Sequence, residues 1–463
     1  MKLAIYDSQE SQNISLDALK QVYRNLGVTR IVYKILTNDN TKNQIYLAPH
    51  LTDLGFLPMG PVSISETSSK KPVRMDSRAK FTAAMDFSWI SPKGEIYPAP
   101  EAKIIYYPQY PEARLSGFLK GCGADLSDWM DRKKKATVPG RVLILGMTEG
   151  KKSIHAYLAI PGSRVVEELG KSKRIELTSI LLELPVSEEG TEGGASRELL
   201  IRELKRIHNS GWIRGKRLKN GKVISYTAQN SGGYTLEAEL GIGPNGVAGP
   251  DFMDWEIKQF GVKKFSQTFK KPLTLMTPQP DGGVYAEIGT RKFVIRYGYE
   301  DTGSGKKGRY VFNGRHFYGV KCEKTGLTLM ISGYDPAAKT MVDPAGFIGL
   351  QDEKGNIVAK WSFSKMIGHW VRKHARAAYV PAIREGRGDE TRFHFGNDVW
   401  LYEGANILRF LRAIADGLIY YDPGSRVDPF VNPEVKARSQ FRISSSYLER
   451  LYRDSDQINV LDH

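Results

Sequence analysis

The segment VSEEGTEGGAS, over residues 186–196, divides the sequence into two parts of different character. It holds three glycines and three glutamates, no aromatic residue and little apolar content. Such a segment is typical of an exposed linker, because it offers almost nothing to a hydrophobic core. The chain has 463 residues, which exceeds the usual size of one domain. We therefore predict an N-terminal domain over 1–185, a linker over 186–196 and a C-terminal domain over 197–463.

The N-terminal part is rich in strand patterns. Runs of β-branched and aromatic residues are separated by clusters of Pro, Gly, Asn and Asp, as expected of short strands. These runs cover residues 30–36, 103–107, 142–145 and 154–160. A helix is predicted over 15–26, with Ser15 as its N-cap. This part is therefore predicted to be a β-rich domain.

The C-terminal part alternates helix and strand patterns. Residues 196–209 place Leu200, Leu204 and Ile207 on one helical face, and residues 402–418 have similar spacing. Strands are predicted over 284–297, 310–320 and 327–332. The alternation predicts an α/β or α+β domain.

The charge balance favours a polyanionic partner. Lys and Arg number 67 against 51 Asp and Glu, a net charge of +16, and nucleic acid is the commonest partner of such a basic protein. With only two cysteines, a disulfide framework and a cysteine-rich zinc site are excluded, and a reducing compartment is favoured. No apolar run is long enough for a membrane span, so we predict a cytoplasmic protein without a membrane partner.

The chemistry is concentrated in residues 232–260, where Asp251 is followed by Glu256 and Lys258. Residues two apart on a strand face the same side, so Glu256 and Lys258 project together while Ile257 points into the core. A tight bend would bring Asp251 beside Glu256. Paired carboxylates repel unless a cation neutralises them, and Mg²⁺ prefers such oxygen ligands. The spacing alone also occurs on surface strands whose charges are solvated.

Four neighbouring elements make the pattern specific. They are Leu236-Glu237, Leu240-Gly241, Pro250-Asp251-Phe252 and Glu256-Ile257-Lys258. In this order, around a Gly- and Pro-rich loop, they resemble the metal site of the PD-(D/E)xK nuclease superfamily, in the MvaI/BcnI restriction endonuclease family of the MutH-like subgroup. The resemblance covers about 195–460 and implies a restriction-endonuclease-like mixed β-sheet flanked by helices, with the metal site at a sheet edge.

The resemblance also implies roles for the residues. Asp251 and Glu256 would bind Mg²⁺, and Lys258 would serve the attacking water. Glu237 would be an accessory acid that binds a metal or positions water, with Glu239 as its rival, because two residues along a helix turn the side chain by about 200°.

One position departs from the family pattern, which usually has a glycine before the Glu-x-Lys strand. This chain has Asp254-Trp255 there. Asp254 could compete as a ligand, or Trp255 could pack beneath the strand, and we favour packing.

Two groups of side chains are predicted to hold DNA. Lys263 and Lys264, with Lys270 and Lys271, follow the motif without an intervening acid and suit phosphate contacts. On a strand, one face would present Lys436, Arg438, Gln440 and Arg442. Arg and Gln can read base edges, although the same pattern fits the charged exterior of an amphipathic strand.

The sequence thus predicts a Mg²⁺-dependent endonuclease that hydrolyses double-stranded DNA, as a type II site-specific restriction enzyme. The alternatives are a MutH-like nicking or repair nuclease, and a catalytically inactive DNA-binding protein that retains the fold. For the N-terminal domain we predict a module that reads a second DNA site or a modified base, or that binds a protein partner.

Overall fold

The structure is a computed structural model that describes residues 5–37, 44–65, 80–108, 110–123, 127–130, 135, 137–148, 153–186, 196–243, 250–266, 272–431 and 433–463. Along most of the chain, two compact units divide between Arg206 and Ile207, inside a helix. The predicted linker, apart from its two end residues, lies outside the described residues. The domain limits 1–185 and 197–463 stay a prediction.

The chain before residue 187 is built mainly of strands. Its helices and strands are α1 Gln9–Asn13, α2 Leu16–Asn25, β1 Val28–Ile35, β2 Gln44–Ala48, β3 Ser63–Ser65, β4 Lys80–Ala84, β5 Phe87–Ile90, β6 Ile96–Pro98, β7 Lys103–Tyr107, β8 Glu112–Ser116, α3 Ser127–Met130, β9 Val142–Thr148, β10 Ile154–Ala159, α4 Arg164–Lys171, β11 Ile175–Glu176 and β12 Leu182–Leu184. One sheet has the order β11-β12-β1-β9-β10-β5-β6 and another β2-β8-β7-β4-β3. The predicted β-rich character is confirmed.

Helix α2 shows why the local prediction succeeds in this part of the chain. The Ser15 hydroxyl accepts a hydrogen bond from the Ala18 backbone N–H at 3.1 Å, which caps the helix as predicted. Leu19 and Tyr23, four residues apart, are buried on one face. The helix therefore packs on the core through the stripe that its periodicity defines.

The C-terminal part contains both helices and strands. They are α5 Ser196–Asn209, β13 Ile213–Arg214, β14 Lys216–Lys219, β15 Lys222–Ser225, α6 Ser231–Glu239, β16 Glu256–Gly261, β17 Pro272–Met276, α7 Val284–Tyr297, β18 Tyr299–Glu300, β19 Tyr310–Asn313, β20 Thr328–Ser332, β21 Tyr334–Asp335, β22 Thr340–Met341, β23 Phe347–Gln351, β24 Ile357–Ser362, α8 Phe363–Lys373, β25 Arg376–Glu385, β26 Arg392–Phe395, β27 Asp398–Glu403, α9 Ile407–Ala415, β28 Ile419–Tyr421, β29 Gly424–Val427, β30 Val435–Lys436, β31 Phe441–Ser444 and β32 Asp454–Asn459. None of the described helices combines the length and apolar character that crossing a bilayer requires.

One sheet of this part determines where the candidate site lies. Its order is β13-β26-β25-β27-β32, and β16 runs parallel to β25. The other ladders of β25, with β26 and β27, are antiparallel, so the sheet is mixed, as predicted. Strand β25 is central and buried along most of its length, whereas β16 pairs with β25 alone among the described strands. The predicted α/β class with a mixed sheet is confirmed.

The strand predicted over 284–297 is wrong, because these residues form helix α7. Phe293 lies 4.9 Å from Tyr297 between ring centroids and 5.1 Å from Tyr285. The spacing of four residues between Phe293 and Tyr297 fits one helical face, whereas Tyr285 lies on the other side of a kink at Gly289, whose φ is 74° and ψ 168°. Aromatic packing of Phe293 against Tyr285 and Tyr297 therefore overrides the strand propensity of the individual residues.

Two other predicted bounds are too wide. Residues 402–418 contain the shorter helix α9, because Asn406 caps it by accepting the Arg409 N–H at 2.9 Å, and Tyr402 belongs to strand β27. The strand predicted over 310–320 ends at Asn313, where Gly314 follows with φ of 132°. That backbone conformation suits glycine and ends the ladder.

Candidate active site

A tight turn precedes strand β16. The N–H of Phe252 donates to the Trp255 carbonyl at 2.9 Å, and the N–H of Trp255 donates to the Phe252 carbonyl at 2.8 Å. The turn places the Asp251 carboxylate at the start of the strand, where it accepts the Ile257 backbone N–H at 3.0 Å. The bend predicted between Asp251 and Glu256 is thereby confirmed.

The turn requires a left-handed residue at Met253, whose φ is 53°. Its side chain is exposed, so backbone conformation dominates the effect of a substitution. We expect Met253→Gly to be about 1–2 kcal/mol more stable than Met253→Val, because a β-branched residue tolerates positive φ poorly. Urea unfolding of the two variants measures this difference. Equal midpoints would contradict the assigned turn.

Glu256 and Lys258 project from the same side of β16. Lys258 Nζ donates to Glu256 Oε1 at 2.8 Å, whereas Ile257 between them is buried in the core. The alternation predicted from the sequence is therefore confirmed. The Glu256 side chain is only 5% exposed and that of Lys258 is 20% exposed, so the pair lies at the margin of the core and keeps access to solvent.

The charge state of Lys258 follows from its neighbours. Burial by itself lowers the pKa of the ammonium group, but the Glu256 carboxylate, together with Tyr379 and Asp251, outweighs burial and raises the pKa above its ordinary value. Lys258 is therefore a cation at neutral pH. In this state it can orient a water molecule and stabilise negative charge, but it cannot accept a proton.

Strand β25 adds a residue that no sequence pattern indicated. Tyr379 pairs in register with Lys258, so the two side chains lie on the same face of the parallel pair. Its buried hydroxyl lies beside Tyr452, and burial raises the pKa of Tyr379. Tyr379 carries no local motif, and only the register of a strand more than a hundred residues downstream could have indicated it.

Asp254 and Trp255 have separate structural roles. Trp255 is completely buried, which confirms the predicted packing. The Asp254 carboxylate forms an ion pair with Arg376, and the same guanidinium contacts Glu403 at 2.9 Å. Arg376 also lies over the Trp255 ring, 5.7 Å from its centroid. The Asp254 carboxylate is thus paired with the Arg376 guanidinium.

Carboxylates and cations are grouped around the start of β16. Two cations, Lys258 and Arg376, are joined by hydrogen bonds, ion pairs or close electrostatic contact to four carboxylates, which are Asp251, Asp254, Glu256 and Glu403. Among the described residues, no three His, Cys, Asp or Glu side chains lie close enough to hold a metal ion by themselves. Mg²⁺ needs only one or two carboxylates when waters and substrate phosphates complete its shell. The pair Asp251 and Glu256 fits that requirement.

Helix α6 carries Glu237 and Glu239. Glu239 forms an ion pair with Lys216, which assigns it a contact other than the candidate site. Glu237 is half-buried and does not form a metal-binding group with Asp251 and Glu256 in this structure. Its role as an accessory acid stays a prediction.

Two of the four predicted phosphate-binding lysines belong to the described residues. Lys263 and Lys264 follow β16 and are exposed to solvent, as a phosphate contact requires. Lys270 and Lys271 lie outside the described residues. Contact with DNA stays a prediction for all four.

The single strand predicted to carry Lys436, Arg438, Gln440 and Arg442 is wrong. Strand β30 ends at Lys436 and β31 begins at Phe441, so the four side chains do not share one face. The backbone leaves the strand where the Arg438 N–H donates to the Ser425 hydroxyl at 2.9 Å. Lys436 and Arg438 are exposed.

Gln440 and Arg442 are engaged in internal contacts. The Gln440 amide is buried, accepts the Thr274 hydroxyl at 3.1 Å and donates to the Asp422 carbonyl at 3.1 Å. Arg442 donates to the Asp422 carboxylate at 2.7 Å. Base reading by Gln440 would require this buried side chain to move to the surface, which would break both of these hydrogen bonds.

The sequence profile of the MvaI/BcnI restriction endonuclease family matches residues 201–452. The chain belongs to the MvaI/BcnI restriction endonuclease family. The matched residues include the turn at Asp251, strand β16 and strand β25, so the family resemblance read from the motif is confirmed. No curated protein matches the chain.

Two solved structures of an MvaI/BcnI enzyme are similar to the chain. The complex of restriction endonuclease MvaI with its cognate DNA substrate is 18% identical, with a TM-score of 0.42, over 56% of this chain and 96% of that chain. Restriction endonuclease MvaI without DNA is 18% identical, with a TM-score of 0.32, over 57% and 97%. The family match begins at residue 201 and leaves the N-terminal part outside it.

Proposed function

We propose that this family member is a Mg²⁺-dependent endonuclease that hydrolyses double-stranded DNA as a type II restriction enzyme. The observation that carries the proposal is the Glu256–Lys258 pair on an edge strand, with Asp251 bound to the backbone of the same strand. Two carboxylates and a cation at one point are the equipment for phosphodiester hydrolysis. The net positive charge of the chain suits a DNA substrate.

Asp251 and Glu256 are the residues that would hold Mg²⁺. When bound, the ion polarises the scissile phosphate and lowers the pKa of water. Asp251 is fixed by the Ile257 N–H, and Glu256 is fixed by Lys258. Since both carboxylates are oriented before any ligand arrives, binding requires little rearrangement of side chains.

Lys258 supplies a positive charge at the reacting phosphate. Because its pKa is raised, it is protonated at neutral pH, and it donates hydrogen bonds to the attacking water and to the developing charge. Water forms a bond to phosphorus while the bond between phosphorus and the 3′ oxygen breaks; the water gives up a proton to solvent, and the 3′ oxygen takes up a proton from solvent. The products are a 5′-phosphate and a 3′-hydroxyl, as the family resemblance implies.

A matched pair of glutamates tests the accessory acid. We expect Glu237→Gln to lower the cleavage rate about 10–100-fold, the usual effect of losing a supporting carboxylate. Glu239→Gln removes the partner of Lys216 and is expected to change the rate much less. Single-turnover cleavage of a DNA duplex measures both variants. If Glu239→Gln loses more of the cleavage rate than Glu237→Gln, then Glu239 and not Glu237 is the accessory acid.

Supercoiled plasmid tests the activity as a whole. With Mg²⁺ we expect linear fragments with fixed ends, and with EDTA we expect no cutting, because Asp251 and Glu256 then lack the cation that they would hold. Sequencing of the fragment ends gives the recognition site. Open circles instead of linear DNA would indicate a nicking enzyme. DNA binding without metal-dependent cutting would refute the enzyme and indicate a binding protein.

Exposed cations of the C-terminal part would hold the DNA. We propose Lys263, Lys264, Lys436 and Arg438 as contacts, since all four are exposed and a cation on a phosphate releases counterions. The N-terminal part, over 1–185, is proposed as a separate module that reads a second DNA site or a modified base.

A further inference from the structure

A short basic hairpin precedes helix α6. Strands β14 and β15 are joined by Asn220 and Gly221, which have φ values of 50° and 73°. Two successive positive φ values define a type I′ turn, the tightest connection of a two-stranded ribbon. In its register, Lys219 lies directly opposite Lys222, and Arg217 lies opposite Ile224.

One face of the hairpin is committed to packing. The Lys216 N–H donates to the Thr235 hydroxyl of α6 at 3.1 Å, and the Lys216 ammonium group pairs with Glu239 of the same helix. Leu218, on the same face by alternation, lies against Gly243 just after α6. This face therefore anchors the hairpin to the helix that packs on β16.

The other face carries a row of cations. Arg217, Lys219 and Lys222 share it by alternation. The Arg217 guanidinium lies over the Tyr226 ring, 4.5 Å from its centroid, and both lysines are exposed. No acidic residue occurs in the sequence from Ser210 to Leu236.

The arrangement of the lysines is costly in the absence of a ligand. Like charges directly opposite each other on a hairpin repel, and neither lysine forms an ion pair with any residue in the part of the chain that the structure describes. An anion that binds between them would relieve the repulsion. A tight ribbon with a cationic outer face is also of a size that enters the major groove of DNA.

We propose that the β14–β15 hairpin binds the phosphate backbone of the DNA duplex through Lys219 and Lys222, with Arg217 beside them. The inference rests on the proposed function, since the ligand is the substrate duplex. It adds a binding surface that the active-site motif does not include. The contact is sequence-independent, because the lysines are point charges and carry no bidentate base-reading geometry.

The test is the salt dependence of binding by the full chain. The binding constant for a DNA duplex is measured without Mg²⁺ over a series of NaCl concentrations, for the wild type and for Lys219→Gln/Lys222→Gln. Each phosphate contact contributes about one to the slope of log K against log salt. We expect the slope to fall by about two in the double variant.

Two matched variants control for folding and for net charge. Lys219→Arg/Lys222→Arg keeps both charges and should keep the wild-type slope. Lys171→Gln/Lys173→Gln removes the same charge from two exposed lysines of the N-terminal part and should also keep it. An equal loss of slope in that control would overturn the hairpin as a specific surface, as would a lowered melting temperature with the slope unchanged.

The hairpin and the proposed function fail in different ways. A wild-type chain that binds and cleaves DNA, with an unchanged slope in Lys219→Gln/Lys222→Gln, overturns the hairpin alone. A wild-type chain that does not bind duplex DNA overturns both. Cleavage without metal dependence overturns the proposed Mg²⁺ requirement alone. The salt dependence of binding then still decides whether the hairpin contacts DNA.

Discussion

Replacement of Lys258 by alanine is expected to lower the rate of DNA cleavage by about 10²–10³-fold, the effect of removing one preorganised charge from a hydrolytic site. Lys258 is held at 2.8 Å by Glu256, and its raised pKa keeps it charged. The variant loses the cation and leaves Glu256 oriented by fewer partners. Single-turnover cleavage at saturating DNA measures the rate of the bound complex.

The matched control is Lys264→Ala, which removes an exposed lysine six residues further along the chain. If Lys264 contacts phosphate, its loss weakens binding and lowers the salt dependence, but the rate at saturating DNA stays close to the wild-type rate. Lys258→Ala should show the opposite pattern, with binding retained and the rate lost. Unchanged cutting by Lys258→Ala would refute the assignment of the site.

The second large effect is expected on stability. Arg376 contacts Asp254 and Glu403 and covers the Trp255 ring. We expect Arg376→Met to lower the free energy of unfolding by about 3–5 kcal/mol, because removing one partner of a buried ion pair leaves a buried charge without compensation. The Asp254 side chain is only 6% exposed, so solvent screens little of this cost. Urea unfolding of the variant measures it.

Two further variants separate charge from packing. Asp254→Asn/Arg376→Met removes both charges and should recover a large part of the stability lost in Arg376→Met. Arg376→Lys keeps the charge but loses the planar contact with two carboxylates, so an intermediate loss is expected. If the double variant is no more stable than Arg376→Met, the loss comes from packing of the methylene groups and the assigned ion pair is not its cause.

The candidate catalytic motif could be predicted because its geometry is local. Asp251, Glu256 and Lys258 lie within eight residues of sequence, and a turn followed by strand alternation is enough to bring them together. The same reason explains the cap at Ser15 and the burial of Trp255. The charge excess and the order of motif elements likewise indicated a DNA-directed nuclease family before any fold was known.

Other elements could not be predicted because their causes are distant in sequence. Helix α7 has the composition of a strand, and contacts among Tyr285, Phe293 and Tyr297 decide its form. The interval from Lys436 to Arg442 alternates like one strand, yet hydrogen bonds with distant segments divide it and bury Gln440. Periodicity reports what a segment could do alone, whereas packing selects among the options.

The Gly- and Glu-rich segment 186–196 divides the sequence into two parts of different composition, and composition alone says nothing about contacts between distant residues. The sequence by itself determined the β-rich and α/β halves, the family and the three motif residues, since each rests on short-range pattern or composition. Only the tertiary structure decided that Arg376 pairs with Asp254 and that Tyr379 lies beside Lys258. Both residues come from β25, and the pairing of β16 with β25 is a long-range choice that no local pattern encodes.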